Sequence, residues 1–303
     1  MSEPPIALAA QPNDLPVEDL RLRSDEHGAV AVDPARAGWR YLSFRTVRLG
    51  EHQSIAIGDD RHETAIVNLF GGDAVVQEPE EEPVVLGGRT SVFDALPSAY
   101  YLPAGHGASL TAGKRGPRLE TTVAIAEAPV RTETGSSLES VWIRPEDVRV
   151  EIRGAGNATR QINHIIAPDF PADRLEVVEV LTPSGNWSSW PPHKHDVDDM
   201  PNEAVLEEIY YYRFERPEAW GVQRVYRADR SRDGLWEVRN GDVVIVTDGY
   251  HPFTAAHGDD AYYLNALAGD RRTMACSFDP DFDWVRDTWS SMAPDPRLPF
   301  TGR

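Results

Sequence analysis

What most limits how this chain can fold is a series of short segments of strand composition, recurring about every ten residues. WRYLSFRTVRLG, beginning at Trp39, alternates apolar and polar residues over a strand's length before Gly50 and Glu51 turn it. ETAIVNLFGG, SVFDALPSAYYLPAG and ETTVAIAEAPV follow. Beyond TETGSS, a linker of small and polar residues, come SVWIRPEDVRVEIRG, DRLEVVEVLTPSGNW, GVQRVYRAD, GLWEVRNGDVVIVTDGY and DAYYLNALAG. β-Branched and aromatic residues suit a pleated sheet, and the Gly, Pro, Asn and Asp between them supply turns. No long amphipathic helix interrupts the pattern, so the expectation is an all-β chain. A length of 303 residues suffices for two domains. ETAIVNLFGG and AYYLPAGH echo EEIYYYRF and VVIVTDGYH, with His106 placed as His251 is. Two β-barrels in tandem would explain the echo. The expected division is an arm over 1–35, a first barrel over 36–145, a second over 146–290 and a tail over 291–303.

Charge and cysteine content narrow the function. A formal net charge of -19 repels a phosphate backbone and argues against nucleic acid as a partner. An anionic substrate would need local arginines to overcome that field. No stretch approaches the roughly 18 consecutive apolar residues of a spanning helix, so no membrane role is expected. The N-terminus lacks the basic start of a signal peptide. Cys276 is the single cysteine, which excludes an intrachain disulfide and suits a reducing cytoplasm.

The chemistry concentrates in WSSWPPHKHDVDDMPNEAVLEEIYYYRF, from Trp187 to Phe214. His193 and His195 are two apart, so on a strand both imidazoles face one side. An alternating segment with Glu207 and Glu208 follows, and His251 comes after Gly249 in a turn that can aim it inward. Three imidazoles and one carboxylate suit Zn²⁺, Mn²⁺ or Fe²⁺, with positions left open for substrate oxygens. The expected ligands are His193, His195, His251 and a glutamate; periodicity alone does not decide between Glu207 and Glu208. Two solvated loop histidines are the plain reading of H-x-H by itself. Arg224, on a strand with apolar neighbours, is the first choice for a substrate carboxylate, with Arg160 and Lys194 behind it. Tyr210, Tyr212, Tyr262 and Asn265 are candidates to line the pocket, against the ordinary reading of core packing.

These residues resemble the cupin superfamily, in which H-x-H, a Glu and a later His hold one metal inside a small barrel. PPHKHD, LEEIYYYR, QRVYRADRS, VRNGDVVIV, GYHPF, YYLNALAG and DPDFDWV, with GNATRQINHII upstream, look like the 5-deoxy-glucuronate isomerase family of myo-inositol catabolism. The resemblance is dense from about Arg153 to Val285. It implies two tandem cupin-type barrels with the metal site in the C-terminal one only, and it selects Glu208 as the ligand. It implies an aldose-ketose isomerisation of a sugar acid, with a divalent metal acting as Lewis acid. Glu207, Asp196 or a metal-bound hydroxide would serve as base, or a hydride shift would need none. The insert DVDDMPNEAVLE looks like a family feature and a possible flap. Other readings are the keto-deoxyuronate isomerase of pectin breakdown, a non-catalytic metal- or sugar-acid-binding cupin, and an Fe²⁺ oxygenase. Self-association into a homo-oligomer is compatible with all of them.

Overall fold

Both the alternating and the continuously apolar segments become strands. A computed structural model describes residues 15–113, 120–131 and 138–300, so the expected linker TETGSS and the chain ends lie outside the described residues. In chain order the first strands are β1 (Arg21–Leu22), β2 (Ala31–Val32), β3 (Ser43–Leu49), β4 (Ser54–Ile57), β5 (His62–Gly71) and β6 (Ala74–Gln77). Next come β7 (Val84–Leu86), β8 (Ala99–Leu102), β9 (Ala108–Ala112), β10 (Thr121–Pro129), β11 (Val141–Ile143) and β12 (Arg149–Arg153). Then follow β13 (Arg160–Ile166), β14 (Leu175–Thr182), β15 (Trp187–Ser188), β16 (His193–Lys194), β17 (Leu206–Phe214) and β18 (Gly221–Tyr226). The last are β19 (Asp233–Val238), β20 (Val243–Val246), β21 (Phe253–Ala255), β22 (Ala261–Gly269) and β23 (Ser277–Phe278). Helix among the described residues is confined to single turns such as Pro34–Ala37 and Val285–Thr288.

Hydrophobic faces stack these strands in four layers. A six-stranded sheet, β11-β8-β5-β10-β3-β2, packs on the four-stranded β4-β9-β6-β7 through Leu49, Ile66, Leu86, Leu102 and Leu110. A seven-stranded sheet, β1-β20-β17-β22-β14-β13-β12, packs on β15-β21-β18-β19 through Val180, Tyr212, Val225, Val238 and Phe253. The two large sheets bury their remaining faces on each other, joining Phe44, Val67, Tyr101 and Ala126 to Val177, Ile209, Tyr211 and Leu264. The lead-in spans both: β1 extends the seven-stranded sheet through β20, while β2 pairs with β3.

Central strands buried on both faces read as unbroken apolar runs, and every residue of β14 and of β22 is buried. Arg89, Glu179 and Glu63 find partners inside the stack. Arg89 forms an ion pair with Glu179, which also accepts the Tyr262 hydroxyl at 2.7 Å. Glu63 accepts backbone N–H groups from Asp173, Arg174 and Leu175 at 2.6 to 2.7 Å, tying the first half of the chain to the start of β14.

Candidate active site

Paired residues of an antiparallel sheet point to one face, so register fixes what looks into the space above the seven-stranded sheet. Glu208 pairs with Leu267, and Leu267 with Glu176. One step along, Tyr210, Asn265 and Val178 form a row; the next row is Tyr212, Tyr263, Val180 and Ile162. Beyond Ile162 on the same face of β13 stands Arg160. Glu208, Tyr210, Asn265, Val180, Ile162 and Arg160 line a cavity of about 510 Å³, which His193 and His195 enter from above.

His195, Glu208 and His251 converge, with ligand atoms all within 4.8 Å of one another, and all three are buried. His195 Nδ1 lies 3.0 Å from the Leu206 carbonyl, and His251 Nδ1 lies 2.9 Å from the Gly249 carbonyl. A carbonyl only accepts, so each Nδ1 carries a proton, and it is the neutral form of each ring that presents a bare Nε2. Those Nε2 atoms sit 2.8 Å and 3.3 Å from Glu208 Oε2, and His251 Nε2 has no hydrogen-bond partner among the described residues. Lone pairs brought together in a buried place need a shared cation or proton. Two imidazoles and a carboxylate are the donor set of a borderline divalent ion, so the residues fit such an ion.

Titration follows from the same packing. Burial holds His251 down to about 4, against the pull of Glu208. Burial also acts to lower His195, but its hydrogen bond to Glu208 and that carboxylate's charge outweigh it and raise the group. His193 is held well below the usual range by burial and by His251 and His195. Its ring stands 4.7 Å from that of His251 and 6.4 Å from that of His195, beside the tight group of three.

Local chemistry holds these histidines. Gly249 has φ of 84°, and a Cβ there would stand 2.4 Å from the Tyr226 carbonyl oxygen, so glycine is required for the turn into His251. Lys194, on the opposite face to His193 and His195, donates to Asp196 at 2.6 Å and Glu203 at 2.8 Å. Asp196 in turn accepts the Gly249 N–H at 2.8 Å, locking the H-x-H segment to the His251 turn. The expected flap therefore supplies a clamp through Glu203 and two lining residues, Asn202 and Leu206.

Three site expectations are corrected. Arg224 lies outside the cavity: alternation on β18 turns the buried Gln223 inward, where its side-chain amide donates to the His251 carbonyl at 2.7 Å. Arg224 faces a separate groove, paired with Asp233 at 2.6 Å and stacked on Tyr226. Tyr262 points to the opposite sheet face and bonds Glu179; its neighbour Tyr263 lines the cavity. Glu207 also faces away, accepting N–H groups from Arg40, Tyr41 and Leu42 at 2.6 to 2.9 Å, so it is no base for this cavity.

Arg160 and Tyr210 do reach it. Arg160 is buried; among the described residues its side chain donates only to the Ala158 and Trp190 carbonyls, and no acidic side chain pairs with it. Burial lowers it to about 10, which leaves it charged at neutral pH. The other lining cations are engaged, Arg153 with Glu151 at 2.7 Å and Arg286 with Asp283 at 3.0 Å. Sequence reasoning missed Arg153, Arg286, Ser189, Tyr263 and Cys276 as lining residues. For Tyr263 a signal existed: Asn265 and Tyr263 share strand parity, whereas Asn265 and Tyr262 do not. Cys276 is held as a neutral thiol, pushed up to about 11 by burial.

Comparison with known proteins finds relatives of this chain. A family model described as the KduI/IolB family matches residues 18–285. A 5-deoxy-glucuronate isomerase of Geobacillus kaustophilus is 41% identical over 266 residues, covering 88% of this chain and 93% of that protein. The 5-deoxy-glucuronate isomerase of Bacillus subtilis is 36% identical over 256 residues, covering 84% and 91%. The crystal structure of an IolB-like protein from Salmonella typhimurium matches with a TM-score of 0.78 at 36% identity, covering 84% of this chain and 94% of that one. An oxalate decarboxylase of Bacillus subtilis, a protein with Mn(II) centres, has a TM-score of 0.54 at 14% identity, covering 82% and 74%. That last likeness is one of fold alone.

Proposed function

The chain belongs to the KduI/IolB family, and on that premise we propose that its cavity is the active site of an isomerase acting on 5-deoxy-glucuronate. The reaction converts 5-deoxy-D-glucuronate to 5-dehydro-2-deoxy-D-gluconate by moving hydrogen from C2 to C1. It needs no redox partner, since the aldehyde gains what the C2 carbinol loses. One observation carries the reading: a buried guanidinium with no acidic partner among the described residues lines the same cavity as His195 and Glu208, whose ligand atoms lie within 4.8 Å of that of His251. A buried cation of this kind is costly unless an anion joins it, and the carboxylate at C6 is that anion.

Each residue then has a task. His195, Glu208 and His251, with His193 beside them, would hold one divalent ion. When bound, the ion supplies Lewis-acid polarisation of the oxygens on C1 and C2. Arg160 binds the C6 carboxylate and fixes which end of the substrate meets the histidines. Tyr210, whose hydroxyl shares a hydrogen bond of 2.9 Å with Ser189, and Asn265 offer polar tips between the two ends. Asn265 Nδ2 donates to the Ile209 carbonyl at 3.0 Å, which turns its amide in a fixed sense and leaves its oxygen to accept. The ion's identity among Zn²⁺, Mn²⁺ and Fe²⁺ is open to the donor set, and Mn(II) occurs in the similarly folded oxalate decarboxylase.

In this reading 36–145 and 146–290 are two cupin-type barrels, of which the second holds the ion and the first is structural, in a cytoplasmic enzyme. No helix of the described residues is long and apolar enough to cross a membrane. The test is conversion of 5-deoxy-glucuronate by metal-reconstituted protein under argon, followed by NMR. The ketone product should form without oxygen. Absence of conversion under each of the three metals would overturn the assignment.

A further inference from the structure

The substrate carries hydroxyls at C2, C3 and C4 but none at C5, the carbon next to the carboxylate. Resting on the isomerase reading, Arg160 fixes where that carbon lies, because the carboxylate it binds is one bond away. Ile162 is two residues from Arg160 on the same face of β13 and pairs directly with Val180 of β14. Both side chains are buried to within 5% of full burial and line the cavity. The row contains one polar lining group, the Tyr263 hydroxyl, and that is held by the Ser188 hydroxyl at 2.5 Å. Further from Arg160, the next row offers Tyr210 and Asn265, whose polar tips suit a hydroxylated carbon. The wall therefore runs from cation to aliphatic pair to polar tips, the order of carboxylate, methylene and carbinol in a 5-deoxy sugar acid.

We propose that Ile162 and Val180 are the specificity-determining residues that select a uronate lacking the 5-hydroxyl over one that carries it. A hydroxyl at C5 would be stripped of water against two aliphatic side chains that can neither donate nor accept. An apolar pocket rejects an added hydroxyl only by roughly a hundredfold, and that sets the scale of the discrimination. The same physics applies to any acid bound through Arg160, because the discriminated position is α to the carboxylate.

Two measurements test this. In the first, kcat/KM is compared for 5-deoxy-glucuronate and glucuronate in the wild type and in Val180→Thr and Ile162→Thr. Glucuronate closes a ring through its 5-hydroxyl, but that factor cancels when the ratio of the two substrates is compared between proteins. Either threonine variant with unchanged metal content should narrow the ratio by about tenfold, by giving the 5-hydroxyl a partner. In the second, competitive inhibition of the wild type by 2-deoxy-gluconate and by gluconate isolates binding, since neither is turned over and they differ only at the carbon next to the carboxylate. The deoxy acid should bind at least tenfold more tightly. Equal inhibition by the two acids, or a substrate ratio unmoved in both folded variants, would refute the assignment while leaving the isomerase reading intact. No turnover of 5-deoxy-glucuronate by wild type would overturn both.

Discussion

Glu176 lies in the row of Glu208, on the same sheet face and separated from it by Leu267. It is fully buried, and among the described residues neither carboxyl oxygen finds a well-formed hydrogen bond. Burial pushes its pKa up to about 7, against the pull of Arg272, the Thr273 backbone and His195. In the unfolded chain the group returns to its ordinary value of 4.5. The folded state thus binds the proton more tightly, and stability falls as pH rises from the unfolded value through the folded one. The gap between those values corresponds to about 3 kcal/mol lost by pH 8, at 1.36 kcal/mol for each pH unit. Glu176→Gln removes the titration and nearly keeps the shape. Urea denaturation of metal-free wild type and variant at pH 5, 6, 7 and 8 gives the difference directly, because the histidines titrate in both. The variant should be about as stable as wild type at pH 5 and up to about 3 kcal/mol more stable at pH 8. Parallel loss of stability in the two proteins across that range would refute the account of Glu176 as a proton-bearing buried acid.

Other perturbations separate the site from its surroundings. Arg160→Lys keeps the charge but loses the planar fork, and kcat/KM for 5-deoxy-glucuronate should fall roughly tenfold to a hundredfold in steady-state kinetics. Arg224→Ala should leave kcat/KM within about twofold and stability within about 1 kcal/mol, since its partner Asp233 is as exposed as itself. Glu179→Gln leaves Arg89 buried without its carboxylate, and urea unfolding should show a loss of about 3–5 kcal/mol.

The fold class was legible because turn residues punctuate strand composition at short, even intervals. The order of H-x-H, glutamate and G-Y-H was legible too, and resemblance singled out Glu208, which now stands within 4.8 Å of His195 and His251. Side-chain direction was harder to read. Strands β14 and β22 are buried throughout, and β17 nearly so, because large sheets cover them on both sides. Alternation of polarity then carries little information, which is why the sequence leaves Glu207 and Glu208 both open and points to Tyr262 where the cavity takes Tyr263. Arg224 failed for a related reason. In GVQRVY the inward polar residue is Gln223, fully buried against the His251 carbonyl, and a neutral amide gives no signal that a charge would. Arg160 gained its importance only from tertiary structure, which buries it and supplies no acidic partner.

Under the proposed function, isomerisation depends on one divalent ion held by the H-x-H pair, Glu208 and His251. The direct measurement is bound metal and isomerisation rate on the same samples, as EDTA-stripped protein is titrated with Zn²⁺, Mn²⁺ or Fe²⁺ under argon. The rate should rise in proportion to bound ion, saturate at one ion per chain, and stay absent in a Glu208→Gln variant that retains no ion. Full activity in the stripped protein, or in that variant without metal, would contradict the account.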